Sequence, residues 1–206
     1  MHTNRFQKLK MPLAGLAALS LFMASFGMPA VAGASTSSTI ISSALGQVIS
    51  AFTSGPTVNV NVTPSGAGLQ TIASDTVSVS TNDSAGYTLQ IADSDATNTL
   101  VSGGNSIAAT TGTQASPVAQ AANSWGYRVD SVGGFGAGPT SSASNAAISG
   151  TIKFAPVPVA ASPNTLKTTA VTASNDTTTV WYGVAVNTSQ PSGTYTDTVT
   201  YTATAN

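Results

Sequence analysis

The chain has no cysteine and no glutamate, and its one histidine is His2. Without cysteine there is no disulfide, no thiol nucleophile and no lipoprotein-type anchor, so stability must rest on a buried core and a hydrogen-bonded sheet. Ser-His-Asp and Cys-His catalysis lack their base beyond the second residue. Glycoside hydrolysis needs two carboxyls with separated pKa values, and here only aspartates could supply them. Most of those aspartates stand in turn contexts such as NDS, SND and DSD, where the side chain bonds its own backbone. No catalytic, cofactor-binding or metal-ligating residue is therefore nominated, no cofactor is expected, and the chain reads as a non-enzyme.

Charge is also scarce, at 6% of residues. Arg5, Lys8 and Lys10 precede an uncharged, mostly apolar run over residues 11–27, and Ala30-Val31-Ala32 places small residues where a signal peptidase reads. We expect a signal peptide over 1–32 with cleavage after Ala32, or after Ala34, giving an extracellular or cell-surface protein. The alternative is an uncleaved signal anchor. No later apolar run approaches the roughly 20 residues of a spanning helix, so membrane contact is expected only through the leader. Beyond the leader, Arg128, Lys153 and Lys167 face seven aspartates. Nucleic-acid binding needs clustered basic residues and is excluded as an expectation.

What is abundant is Thr, Ser, Ala and Val. Over 35–54, Ile41, Leu45, Val48 and Phe52 recur at helical spacing among Ser and β-branched residues, so 33–55 reads as a short N-terminal helix or arm, docked on its own domain or joining a neighbour. Gly55-Pro56 ends it. From there the period changes to two. Strands are predicted over 57–63, 75–81, 86–92, 124–130, 149–154, 166–173, 178–187 and 194–204, with turns at Asn82-Asp83, Ser174-Asn175-Asp176 and Gln190-Pro191-Ser192-Gly193. This pattern predicts an immunoglobulin-like antiparallel β-sandwich over 56–206, with a closed barrel as the alternative. In SWGYRVD, Trp125, Tyr127 and Val129 should face the core, and Gly126, Arg128 and Asp130 solvent. In TVWYGVAV, Val180, Tyr182, Val184 and Val186 share one face and Trp181 takes the other, so that strand is central or covered by a loop. Residues 133–149 read as a surface excursion anchored by Phe135.

Four motifs carry weaker chemistry. Asp93-Ser94-Asp95 with Asn98 begins like a calcium loop, yet lacks its bidentate glutamate and glycine and reads as a polar turn. Asn61, Asn82, Asn175 and Asn187 open N-x-S/T sequons at the frequency that chance gives in a Ser/Thr-rich chain. The last strand sets Thr194, Thr196, Thr198, Thr200, Thr202 and Thr204 on one face against Tyr195, Val199 and Tyr201. One such row is an ordinary solvated face rather than an ice-binding surface. Lys153 and Lys167 invite comparison with internal lysine crosslinks, whose usual assisting glutamate is absent.

The blocks DTVSVSTNDSAGYTLQIADSDATNTLVSGGNSIAA, NSWGYRVDSVGGFGAGP, NDTTTVWYGVAV and QPSGTYTDTVTYTATAN resemble, in this order, a family of secreted Ser/Thr-rich surface proteins of ultrasmall candidate-phylum bacteria. GYTLQI and SGTYTDTVTYT are more distantly similar to Ig-like strands of spore-coat and pilin-type adhesin subunits. Type IV pilins are excluded, because their long helix carries a glutamate. The resemblance implies a cell-envelope protein with structural or adhesive contacts to envelope protein or glycan, self-association included. The alternative reading is a carbohydrate-binding module using exposed Trp181 or Phe135.

Overall fold

The computed structural model describes residues 42–138 and 141–206. The leader, its cleavage site and the first part of the helical stripe lie outside the described residues. Period-two sequence gives strands throughout, and no helix forms among the described residues. In chain order they are β1 (Ile49–Thr53), β2 (Leu69–Thr81), β3 (Tyr87–Asp93), β4 (Leu100–Ser102), β5 (Asn105–Ala109), β6 (Val118–Ala119), β7 (Ser124–Val129), β8 (Ala143–Ala147), β9 (Lys153–Phe154), β10 (Asn164–Thr168), β11 (Ala173–Val186) and β12 (Val199–Ala205).

Two sheets face each other across one core. The larger runs β1-β2-β11-β7-β5-β4, with β8 also on β2, and the smaller runs β10-β3-β12. A short β6-β9 ribbon forms a separate two-stranded sheet against the larger one, with Ala155 and Tyr127 exchanging backbone bonds at 2.9 Å. Both orders are open-ended, so the fold is a sandwich rather than a closed barrel. The larger sheet is mixed, because β5 runs parallel to β7 with Ala108 opposite Ser124. This corrects the all-antiparallel expectation. Inward residues interleave from both layers: Val77, Val79, Tyr127, Val180 and Tyr182 from the larger sheet meet Tyr87, Leu89, Ile91 and Leu166 from the smaller. The Tyr182 and Tyr201 hydroxyls bond each other at 2.7 Å and tie β11 to β12 across the core.

The β11 alternation behaves as its sequence requires. Val180, Tyr182, Val184 and Val186 enter the main core, while Trp181 joins Ile72 and Phe154 in a second cluster on the outer face. β11 is central, between β2 and β7, and its outer face is covered by the 143–154 segment through Ala143, Ile152 and Phe154. Gly183 makes room for that cover, since a Cβ there would lie 2.6 Å from the Phe154 ring.

Three expectations need correction. Arg128 is not solvent-facing; it is 1% exposed, because both faces of β7 are covered. The predicted strand over 57–63 forms no ladder, although Val58, Val60 and Val62 pack against the core. The helical stripe is not a helix where it is described: residues 42–48 have no regular structure and Ile49–Thr53 is an edge strand. The reason is competition from β2, whose open edge offers five register pairs from Ile49 opposite Thr81 to Thr53 opposite Val77, against a segment poor in helix propensity. Over the described residues the extended-arm alternative holds, with Ile49–Thr53 paired to β2 of the same chain.

Candidate functional surface

The arm is held at both ends by side chains flanking its ladder. Asn82 Oδ1 accepts the Val48 N–H at 2.7 Å and its Nδ2 donates to Gly46 O at 2.8 Å. At the other end, Asp75 Oδ1 accepts from the Ser54 hydroxyl at 2.7 Å and the Ser54 N–H at 3.0 Å. The clamp fixes the backbone and leaves side chains outside: Leu45 is 84%, Val48 64% and Phe52 69% exposed. Phe52 stands opposite Ser78 and shares its outer face. On the other face, where β1 nears β12, Ala51, Thr53, Val77, Val199 and Tyr201 line a depression of about 280 Å³.

β12 itself is an edge, paired only with β3. Its alternation is as read from the sequence, with all six threonines from Thr194 to Thr204 exposed and Tyr195, Val199 and Tyr201 turned inward and half-buried. Neighbouring positions on the solvent side of β3 are Thr88, Gln90 and Ala92, so the threonine row stays single. From Val199 to Ala205 there is no charge, no proline and no register shift. Natural sheet edges are usually blunted by such devices.

The remaining candidates are absorbed by the fold. Trp181 is 7% and Phe135 4% exposed, so neither can stack on a sugar, which corrects the exposure that the carbohydrate-binding alternative required. Phe135 does anchor its excursion: it packs edge-on against Tyr127 with ring centroids 5.5 Å apart. The Arg128 guanidinium lies 5.9 Å from its ring centroid. Arg128 Nη2 also donates to Phe135 O at 3.2 Å and Gly136 O at 3.0 Å, and Nε to Asp130 Oδ1 at 3.1 Å. Burial lowers the Arg128 pKa while Asp130 raises it, and the cation is spent on holding the excursion.

The Asp93-Ser94-Asp95 segment is a turn of the expected kind. Asp93 Oδ1 accepts the Asp95 N–H at 3.0 Å and Asp95 Oδ1 the Thr97 N–H at 2.6 Å. Lys153 is exposed. Lys167 Nζ meets Asp176 Oδ1 at 2.5 Å, and the Tyr87 hydroxyl donates to Asp176 Oδ2 at 2.8 Å. Burial raises the Asp176 pKa, but Lys167 and Tyr87 outweigh it and hold the carboxyl below its usual range. The pair is ionic, whereas condensation to an amide would need a neutral carboxyl and a neutral amine. Sequence reasoning missed two features, the exposed Phe52 on the edge strand and the neighbouring buried, unpartnered Oδ2 atoms of Asp93 and Asp197. The second had a signal in the two strand-end aspartates, visible only once β3 and β12 are known to pair. No protein-family model, curated protein or solved structure matches this chain.

Proposed function

We propose that this chain is an exported, non-catalytic structural or adhesive component of a bacterial envelope, making its contacts by strand addition along the β12 edge. The observation that carries the reading is that edge: seven residues without charge, proline or bulge, beside a mostly apolar seam lined by Ala51, Val77, Val199 and Tyr201. An extended partner strand can add main-chain hydrogen bonds to such an edge and place alternate side chains in the seam. A second copy of this chain or another envelope protein supplies that strand. The resemblance to secreted Ser/Thr-rich surface proteins supports the same reading, as does the absence of histidine, cysteine and glutamate beyond the leader.

Light scattering tests it with a variant carrying Thr200→Lys and Thr202→Lys, both at exposed positions of the edge strand. The unsubstituted protein is expected to show concentration-dependent association and the variant to remain monomeric, with its melting temperature within about 2 °C of the parent. Association unchanged in the variant would refute the edge as the contact.

A further inference from the structure

The end of β3 and the approach to β12 gather three aspartates. Asp93 stands opposite Val199 in an antiparallel register. The Ser94 N–H continues that register by donating to Thr198 O at 2.9 Å. Asp95 lies two residues beyond the end of β3 and Asp197 two residues before β12 begins, so the pairing of the two strands brings the three aspartates together. Asp93 is 1% exposed. Its Oδ1 accepts the Asp95 N–H, while Asp197 Oδ1 accepts the Thr198 N–H at 2.7 Å. The other oxygen of each carboxyl, Oδ2, is buried without a hydrogen-bond partner.

Among the described residues no cation side chain pairs with them. The two ion pairs among the described residues are Arg128–Asp130 and Lys167–Asp176. The segment 157–160 packs here through Pro158 O, which accepts the Asp93 N–H at 2.7 Å, and through the Ala160 N–H, which donates to Asp95 O at 3.0 Å. Residues 98–101 pack from the other side, with Val101 and Thr196 exchanging backbone bonds at 3.0 Å. Neither segment carries a titratable side chain. The charged neighbour besides the pair itself is Asp95. Two neighbouring carboxyls with buried, unpartnered oxygens do not both ionise readily.

We propose that Asp93 and Asp197 share one proton and so form a pH-dependent latch between the end of β3 and the approach to β12. Burial is the largest influence on Asp197; the Thr198 N–H opposes it, and the bond and charge of Asp93 with the charge of Asp95 reinforce it, leaving the carboxyl pushed up to about 7. A raised folded-state pKa means the folded chain keeps a proton that the unfolded chain has released. Stability from the latch is therefore fully present below the unfolded value, falls as pH rises toward about 7, and is gone above it. This inference is independent of the assembly reading.

Thermal unfolding of the full chain and of Asp197→Asn at about pH 5.5 and about pH 8.5 provides the test. His2 and the amino terminus titrate in that window in both proteins, so their effect cancels in the comparison. The asparagine amide supplies Asp93 with a donor that never leaves. The unsubstituted chain is expected to melt at least about 2 °C lower at the higher pH. The variant should lose less than half as much, and at the higher pH should match or exceed the parent. Asp93→Asn, with the amide on the other partner, should give the same flattened profile. Equal pH slopes in parent and variants would overturn the latch. So would a calcium-dependent rise in melting temperature confined to the parent, which would mean that a metal ion rather than a proton joins the carboxyls.

Discussion

Arg128 has the chemistry of a surface residue and the environment of a core one. Alternation along SWGYRVD assigns it to the same face as Gly126 and Asp130, and that much holds; what alternation cannot say is whether that face meets water. The signal lay in the glycines. Gly126 and Gly183 stand opposite each other in neighbouring strands. A Cβ on Gly126 would lie 2.6 Å from Ala155 O. Two facing glycines inside otherwise apolar strands mark a place where another segment approaches the sheet, and the guanidinium is buried by that cover. Trp125, on the opposite face, is the simplest probe of the main core. It is 3% exposed and its Nε1 donates to Asn98 O at 2.9 Å. Trp125→Ala should cost about 3–5 kcal/mol in chemical denaturation, through the lost packing and an orphaned carbonyl. A cost below about 1 kcal/mol would place the ring outside the core.

Among the elements, β1 shows how far period alone can mislead. Ile41, Leu45, Val48 and Phe52 have helical spacing, yet a stripe is only an opportunity, and the free edge of β2 offers backbone partners to a segment that helix propensity does not defend. Deleting residues 33–54 should expose Val77 and Val79 at the β2 edge, lower the denaturation midpoint and increase aggregation. An unchanged midpoint would mean that the ladder contributes nothing to stability. The long strands were legible because alternation sustained over many residues outweighs local noise: β3, β7 and β12 lie within or close to their predicted limits, whereas β11 begins five residues early at Ala173 and takes in the predicted Ser174-Asn175-Asp176 turn as a register shift. The β4-β5 hairpin was missed. Its turn, Gly103-Gly104, is a recognised hairpin dipeptide, but its flanks are short and weakly apolar. β8 was missed for a related reason, since ASNAA is largely exposed and pairs with β2 without burying much.

At the scale of the whole molecule, the sandwich class was readable because buried strand faces repeat along the chain, whereas the mixed larger sheet depends on which strands meet, and that is a long-range fact no local period encodes. The surface remained the least legible part. An exposed Phe52 and an unprotected β12 edge are visible only once their neighbours are known, and the edge is the feature on which the proposed role rests. That role also requires export. The most direct measurement is the intact mass of the protein recovered separately from washed envelopes, from the medium and from the cytosol of the producing cell. The account predicts a chain beginning at Gly33 in the envelope or medium, without the basic leader or the apolar run over 11–27. Full-length chain confined to the cytosol, with that run still present, would contradict it.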